Sequence, residues 1–326
     1  MSDLPDAALR QLQRALVGPE IPGGRYQAGE LLGEGGMGMV YRARDYVLGR
    51  DVALKVLRPE IALPGVAERL AREAGILARL EHPGIVPVHD AGELADGRVF
   101  YVMKLVRGER LDRFAAARPL GEVLRVFLRV CEAVGFAHAQ GIIHRDLKPA
   151  NIMVGDFGEV LVLDWGIAKV TGGSAAERET AGPVSAEPDS ARQGASPEVS
   201  TAAGTVLGTP GFMAPEQAHG AVDQVDARSD VFSLGAVLRT VCGPAIPRPL
   251  ASVVARATAP DPGRRYAGAA DLAAEVARFL DGVPVLAHRE TVAERLGRLY
   301  LRYQTPIILV LSYLAMRLFF LAWRGR

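Results

Sequence analysis

Between Tyr26 and Lys104 the apolar residues fall into short runs rich in β-branched and aromatic side chains. Val52-Ala53-Leu54-Lys55-Val56-Leu57 and Val99-Phe100-Tyr101-Val102-Met103 are the clearest, and both have the length and composition of strands. One stretch among them, Val66 to Leu80, spaces its apolar residues as a helix does. From about Leu111 helical periodicity takes over. Strands with one helix, followed by a mainly helical region, predict an α+β chain of two lobes: a small β-rich one over about 25–103 and a larger helical one over about 107–288. No internal repeat is present.

The pattern breaks in three places. Residues 1–24 carry a short helical pattern, Ala7 to Val17, and then Gly18, Pro19, Pro22, Gly23 and Gly24, which predict an appendage and a linker. Residues 171–204 are mostly Gly, Ser, Ala, Pro, Thr and Glu; they bury too little surface to offset ordering entropy, which predicts a mobile insert. Near the end, Val292, Leu296, Leu299, Tyr300 and Tyr303 trace one face of a helix over 289–304. An almost wholly apolar run follows, Pro306 to Trp323, close to membrane-spanning length and flanked by Trp323, Arg324 and Arg326. Arg317 lies inside it, at a cost of about 2.5–3.5 kcal/mol at mid-span, and its long stem can reach outward to the interface. The expectation is a single-pass C-terminal anchor in the cell membrane with the lobes in the cytoplasm; the alternative is a hydrophobic helix packed on a partner or lying in the interface.

Composition adds limits. Hydrophobic residues make up 49% of the 326, ample for a large core, and the net charge of +1 gives no argument for nucleic acid as a partner. The chain's two cysteines, Cys131 and Cys242, are far apart, and each falls in an apolar helical pattern. That predicts free thiols in a reducing compartment. Met1 to Pro22 has acidic residues and no long apolar run, unlike a signal peptide.

Chemistry concentrates in two short segments. His144-Arg145-Asp146-Leu147-Lys148-Pro149-Ala150-Asn151 supplies a carboxylate, an ammonium and a carboxamide. Thirteen positions after Asn151, Asp164-Trp165-Gly166 supplies a second carboxylate on a turn ending in glycine. Phosphoryl transfer needs such a set: an acceptor for a hydroxyl proton, a cation for the phosphate and oxygen ligands for Mg²⁺. Upstream, Leu32-Gly33-Glu34-Gly35-Gly36-Met37-Gly38 contains G-x-G-x-x-G. Dinucleotide folds share that spacing, but there it opens a helix, whereas Val40-Tyr41-Arg42-Ala43 has the pattern of a returning strand. The loop is therefore expected to be a hairpin whose glycines let backbone amides approach phosphate oxygens. Lys55 follows within an apolar strand, where a lone ammonium is costly unless paired.

Together these motifs resemble the protein kinases, specifically the bacterial Hanks-type Ser/Thr kinases, from about Arg25 to about Arg289. The resemblance implies a bilobal kinase fold, ATP and Mg²⁺ as cofactors, and protein substrates with Ser or Thr acceptors, including the chain itself in trans. It assigns Asp146 as catalytic base, Lys148 as the lysine that neutralises the transferring phosphoryl, and Asn151 and Asp164 as Mg²⁺ ligands. Lys55 binds the α- and β-phosphates and pairs with a helix glutamate, Glu73 rather than Glu68. Gly33, Gly35, Gly36 and Gly38 cover the phosphates; Leu32, Val40 and Ala53 enclose the adenine; Met103 is the gatekeeper, and Lys104 to Val106 form the hinge, where Lys104 is unusual. His144 is structural, and Trp165 stands where phenylalanine is usual, so its N–H needs a partner if buried. Arg145 receives a phosphorylated Thr201 or Thr205, whereas Thr209 bonds the catalytic pair. Glu216 pairs with Arg265, and Asp230 holds the backbone of the catalytic loop. One departure is the direct passage from Val241-Cys242-Gly243 to the helix at Leu250, where the family carries a further helix. Two other readings stay open: a nucleotide-binding pseudokinase or membrane-tethered scaffold, and a small-molecule kinase, the latter opposed by the segment Gly208 to Glu216.

Overall fold

A computed structural model of the chain describes residues 19–35, 38–57, 80–165, 211–220 and 224–324. The small lobe is a five-stranded antiparallel sheet of β1 (Tyr26–Gly35), β2 (Gly38–Asp45), β3 (Arg50–Leu57), β4 (Val88–Glu93) and β5 (Val99–Lys104), in the order β1-β2-β3-β5-β4. β3 is central, and its last six residues are all buried, as its nearly unbroken apolar run predicts. The two faces of the sheet meet different cores. Val52, Leu54 and Val56 join Tyr41, Phe100 and Val102 on the outer side. Ala53, Leu57, Tyr101 and Met103 join the main core, which continues into the large lobe. Period-two alternation therefore points Lys55 toward the space between the lobes.

A linker leads into β6 (Gly108–Arg110), which forms a three-stranded sheet with β7 (Ile152–Gly155) and β8 (Val160–Val162) in the order β6-β7-β8. The helices described are α1 (Leu111–Ala117), α2 (Leu120–Ala139), α3 (Pro215–Ala218), α4 (Ala227–Cys242), α5 (Arg248–Ala257), α6 (Ala269–Leu280) and α7 (Val292–Arg324). α2 buries Val123, Phe127, Val130, Val134 and Ala137 along one stripe. α4 starts at Asp226, whose side chain accepts from the Arg228 N–H at 2.8 Å. Five residues, Gly243 to Pro247, join α4 to α5, as the direct passage seen in the sequence predicts. The lobes are tied by Val162, whose N–H donates to the Gly84 carbonyl at 2.9 Å and whose carbonyl accepts from Val86 at 3.2 Å.

Cys131 is buried and Cys242 half-buried, and both are free thiols. α7 is one continuous 33-residue helix that begins in the expected amphipathic segment and runs through Pro306 into the apolar tail. Thr291 and Glu294 cap it reciprocally: the Thr291 N–H donates to the Glu294 carboxylate at 2.8 Å, and the Glu294 N–H to the Thr291 hydroxyl at 3.3 Å. Ile308, Leu309, Val310, Leu311, Leu314 and Leu318 are exposed on it. Among the described residues no helix is long and apolar enough to cross a membrane. The expected helices at Ala7–Val17 and, Leu80 apart, Val66–Leu80, and the insert 171–204, lie outside the described residues.

Candidate active site

The segment from His144 to Asn151 joins α2 to β7 and ends in a single 3₁₀ turn, Pro149–Asn151. Its shape is fixed from below by Asp230, fully buried in the first turn of α4. That carboxylate accepts from the backbone N–H of His144 at 2.7 Å and of Arg145 at 2.9 Å, and pairs with His138 Nε2 at 2.8 Å. Burial alone would raise the Asp230 pKa; the His138 hydrogen bond, the nearby histidines and the backbone N–H outweigh it and hold the carboxyl below its ordinary value. This is the bracing role expected of Asp230.

His144 is buried and structural. Its Nε2 donates to the Leu163 carbonyl at 2.9 Å, and its Nδ1 accepts from the Asp146 N–H at 3.3 Å. Burial lowers its pKa, consistent with a neutral ring holding one proton on Nε2. The same ring packs on Trp165, centroids 4.8 Å apart. Trp165 is buried and its indole N–H donates to the Val162 carbonyl at 3.1 Å, so the large plug finds its partner. Arg145 and Asp164 have φ of 65° and 55°, the only positive values among described non-glycine residues. Each costs on the order of 1–2 kcal/mol. One strained residue immediately precedes Asp146, and the other itself bears a carboxylate of the site.

Above this loop the carboxylates and cations converge. Lys148 Nζ lies 3.1 Å from Asp146 Oδ2. The Asn151 carboxamide donates through Nδ2 to the Asp146 carbonyl at 2.8 Å and to its carboxylate at 3.3 Å. Donation to a carbonyl fixes which end of the amide is nitrogen, and so leaves Oδ1 as the atom suited to a cation. Lys55, 5% exposed, reaches across the cleft to Asp164 Oδ1 at 2.6 Å. Burial pulls the Lys55 pKa down, but Tyr101 and Asp164 more than offset it, and the ammonium is held above its ordinary value.

Tyr101 escapes a sequence reading. It stands opposite Lys55 in the β3–β5 register, with Lys55 Nζ 5.8 Å from its ring centroid, and its side chain interacts with both Lys55 and Asp164. Burial pushes the phenol up to about 12, so it acts as a neutral donor. In the sequence it is one more aromatic residue in a strand; the only signal is its place across from an in-strand lysine.

The other residues singled out fall around the same cleft. Val40 pairs with Lys55 and Ala53 with Met103 across the sheet. Val106 is half-buried against the main core, while Leu32 is 46% exposed. β1 and β2 form the expected hairpin, with Gly35 opposite Gly38. A Cβ on Gly38 would come within 2.1 Å of the Val56 carbonyl, so glycine there is demanded by packing. A Cβ on Gly33 or Gly35 would meet nothing within 4 Å among the described residues, so no contact with those residues demands glycine there. They fit a cradle for phosphate oxygens. Among the described residues no group of three His, Cys, Asp or Glu could hold a metal. The oxygens of Asp164 and Asn151 suit a hard cation that completes its shell with water and phosphate oxygens. Glu73, Gly36, Gly166, Thr201, Thr205 and Thr209 lie outside the described residues.

Farther down, Glu216 and Arg265 form the expected pair, at 2.7 and 2.8 Å. Residues 26–251 match the protein kinase domain family. Serine/threonine-protein kinase PknB of Mycobacterium leprae is 36% identical over 296 residues, 80% of this chain and 44% of that protein. DNA damage-responsive serine/threonine-protein kinase RqkA of Deinococcus radiodurans is 40% identical over 235 residues, 69% of this chain and 31% of that one. This chain thus spans less than half the length of either relative. The crystal structure of the M. tuberculosis PknI kinase domain is similar with a TM-score of 0.57 and 28% identity, covering 80% of this chain and 97% of that one. With its two lobes, its hairpin over the cleft and its braced loop, the chain belongs to the protein kinase family, among the bacterial Hanks-type kinases.

Proposed function

We propose that the chain is a serine/threonine protein kinase that transfers the γ-phosphoryl group of ATP to Ser and Thr hydroxyls of proteins, itself among them. The observation that carries this reading is a pair of adjoining clusters: Asp146 with Lys148 at 3.1 Å and Asn151 at 3.3 Å, and Lys55 with Asp164 at 2.6 Å, the two joined by the Leu163 N–H donating to the Asn151 carbonyl at 2.8 Å. Asp146 orients the acceptor hydroxyl and takes its proton. Lys148, beside it, neutralises charge developing on the transferred group. Asn151 Oδ1 and Asp164 hold Mg²⁺, which supplies charge neutralisation when bound. Lys55 steadies the phosphates, with Glu73 as its helix partner, and Gly33, Gly35, Gly36 and Gly38 cover them. Leu32, Val40, Ala53, Met103 and Val106 enclose the base. The experiment is incubation of the full chain with γ-labelled ATP and Mg²⁺, followed by phosphoamino-acid analysis. Label on serine or threonine is expected; nucleotide binding without transfer would support the scaffold instead.

Tyr101→Phe removes only the hydroxyl beside Lys55 and Asp164. One hydrogen bond to a charged group is worth about 1.5–3 kcal/mol, so kcat/KM for ATP should fall about tenfold or more. The melting temperature should also fall modestly, because the bond is already made in the folded chain. A fall in melting temperature with unchanged kinetics would make Tyr101 a packing residue only.

For the tail we propose the cell membrane as its partner, with 306–323 as a C-terminal anchor and the lobes on the cytoplasmic side. Support comes from the exposed apolar side chains of α7, from the absence of Asp or Glu after Glu294, and from Arg295, Arg298 and Arg302 on the lobe side of the run. Carbonate extraction of the full chain should leave it in the membrane pellet; release to the supernatant would rule out a span.

A further inference from the structure

A second cavity, of about 360 Å³, lies at the linker end of the small-lobe sheet. It shares with the nucleotide cleft only the end of β5 and the linker that follows it. Four cations line it, Arg44, Arg50, Lys104 and Arg107, together with His89 and a single carboxylate, Asp51. These residues come from the end of β2, the start of β3, the start of β4, and the end of β5 with the linker that follows it, four separate pieces of chain.

The lining charges are poorly compensated. Asp51 is already shared, accepting from Arg42 at 2.6 Å and Arg44 at 3.0 Å, with Arg107 at 3.7 Å. Arg50 has only Asp45 near it, at 3.7 Å, and Asp45 is engaged by Arg25 at 3.2 Å. The atom that approaches Asp45 is the buried Arg50 Nε, and at 3.7 Å it makes an ion pair but no hydrogen bond among the described residues. Lys104, the unusual hinge residue, makes no ion pair among them. The His89 pKa is lowered, first by burial and then by the positive charge of Arg50, with Asp45 acting in the opposite direction. Four like charges converging on one hollow beside a single shared carboxylate cost free energy unless an anion completes them.

We propose that this cavity binds a dianionic phosphate group, either free in solution or on a phosphorylated serine or threonine side chain. Guanidinium groups present paired N–H donors that match phosphate oxygens, and lysine adds a point charge. Of the residues assigned to the nucleotide, only Lys104 and Leu105 of the hinge also line the cavity, and no residue assigned to Mg²⁺ or catalysis does, so the proposal stands whether or not the chain transfers phosphate.

The test is calorimetric titration of the full chain, at physiological salt, with inorganic phosphate, a phosphoserine peptide and the same peptide unphosphorylated. Each is repeated on Arg44→Gln/Arg50→Gln and on Arg107→Gln, whose side chain is 74% exposed and outside the core. The expected result is binding of phosphate, the phosphopeptide or both, weakened about tenfold or more by the double variant and less by Arg107→Gln. Binding of the phosphopeptide alone identifies a modified side chain as the source. Binding of phosphate alone identifies the free ion. Equal binding of the unphosphorylated peptide, affinities unchanged in both variants, or no binding of either phosphate source overturns the proposal. Phosphate held in the nucleotide cleft is recognised because neither variant would alter it.

Discussion

Asp146→Asn should lower the rate of phosphoryl transfer by about 10²–10⁴-fold, the usual range for a positioned general base, while ATP affinity changes little. The substitution keeps the shape of the side chain. It also keeps the 2.8 Å bond from Asn151 to the Asp146 carbonyl and the bracing of the loop by Asp230, neither of which uses the carboxylate. Lost are the negative charge 3.1 Å from Lys148 and, on the function proposed, the acceptor for the substrate hydroxyl proton. Because the two side chains act as a unit, Lys148→Met should cost comparable activity, and the double variant little more than either single one. Initial rates with labelled ATP and a Ser/Thr protein substrate, beside a nucleotide-binding titration, decide the matter. A variant that keeps more than about a third of the wild-type rate, far above the usual loss for a base, would remove Asp146 from the chemistry.

The residues that carry this expectation were visible in the sequence because they are contiguous. Asp146, Lys148 and Asn151 share one loop, and Asp164 stands on the next turn, so spacing alone groups them. The strand pattern likewise foretold the small lobe, since β3 is buried on both faces and leaves a near-continuous apolar run. What the sequence hid depends on register between distant strands. Tyr101 meets Lys55 only because β5 pairs antiparallel with β3 at that offset; one residue of slip would turn its hydroxyl to the other face. The basic cavity is hidden for the same reason. Arg44, Arg50, His89 and Lys104 are scattered over four segments with acidic residues between them, and a net charge of +1 conceals their convergence. The amphipathic segment and the apolar tail, legible in the sequence as two stretches, form one helix, because α7 continues through Pro306.

Arg265→Ala should destabilise the large lobe by about 3–5 kcal/mol, the cost of leaving a buried charge without its partner. The side chain is fully buried, and all five of its N–H donors are used. Nη1 donates to Glu216 Oε1 at 2.7 Å and the Arg228 carbonyl at 3.0 Å; Nη2 donates to Glu216 Oε2 at 2.8 Å and the Pro260 carbonyl at 3.1 Å; Nε donates to the Ala259 carbonyl at 2.8 Å. Lysine has three donors and no planar fork, so Arg265→Lys should recover only part of the loss. The Ser229 hydroxyl adds a third donor to Glu216, at 2.7 Å. Burial would raise the Glu216 pKa, but the hydrogen bonds from Arg265 and Ser229 prevail and hold it below the usual value. A carboxyl with a lowered folded-state pKa stabilises above its unfolded pKa of about 4.3, and that contribution is lost as pH falls through the folded value. The gap in stability between wild type and Arg265→Ala should therefore be full at pH 7 and shrink below about pH 4. Replacing both partners, Glu216→Met with Arg265→Leu, removes the charges together and should cost less than Arg265→Ala alone. Denaturant unfolding of the three variants at the two pH values measures all of this. A single variant no less stable than the double would mean that Glu216 finds other partners, and that the pair does not hold the segment after the insert to the helices beneath it.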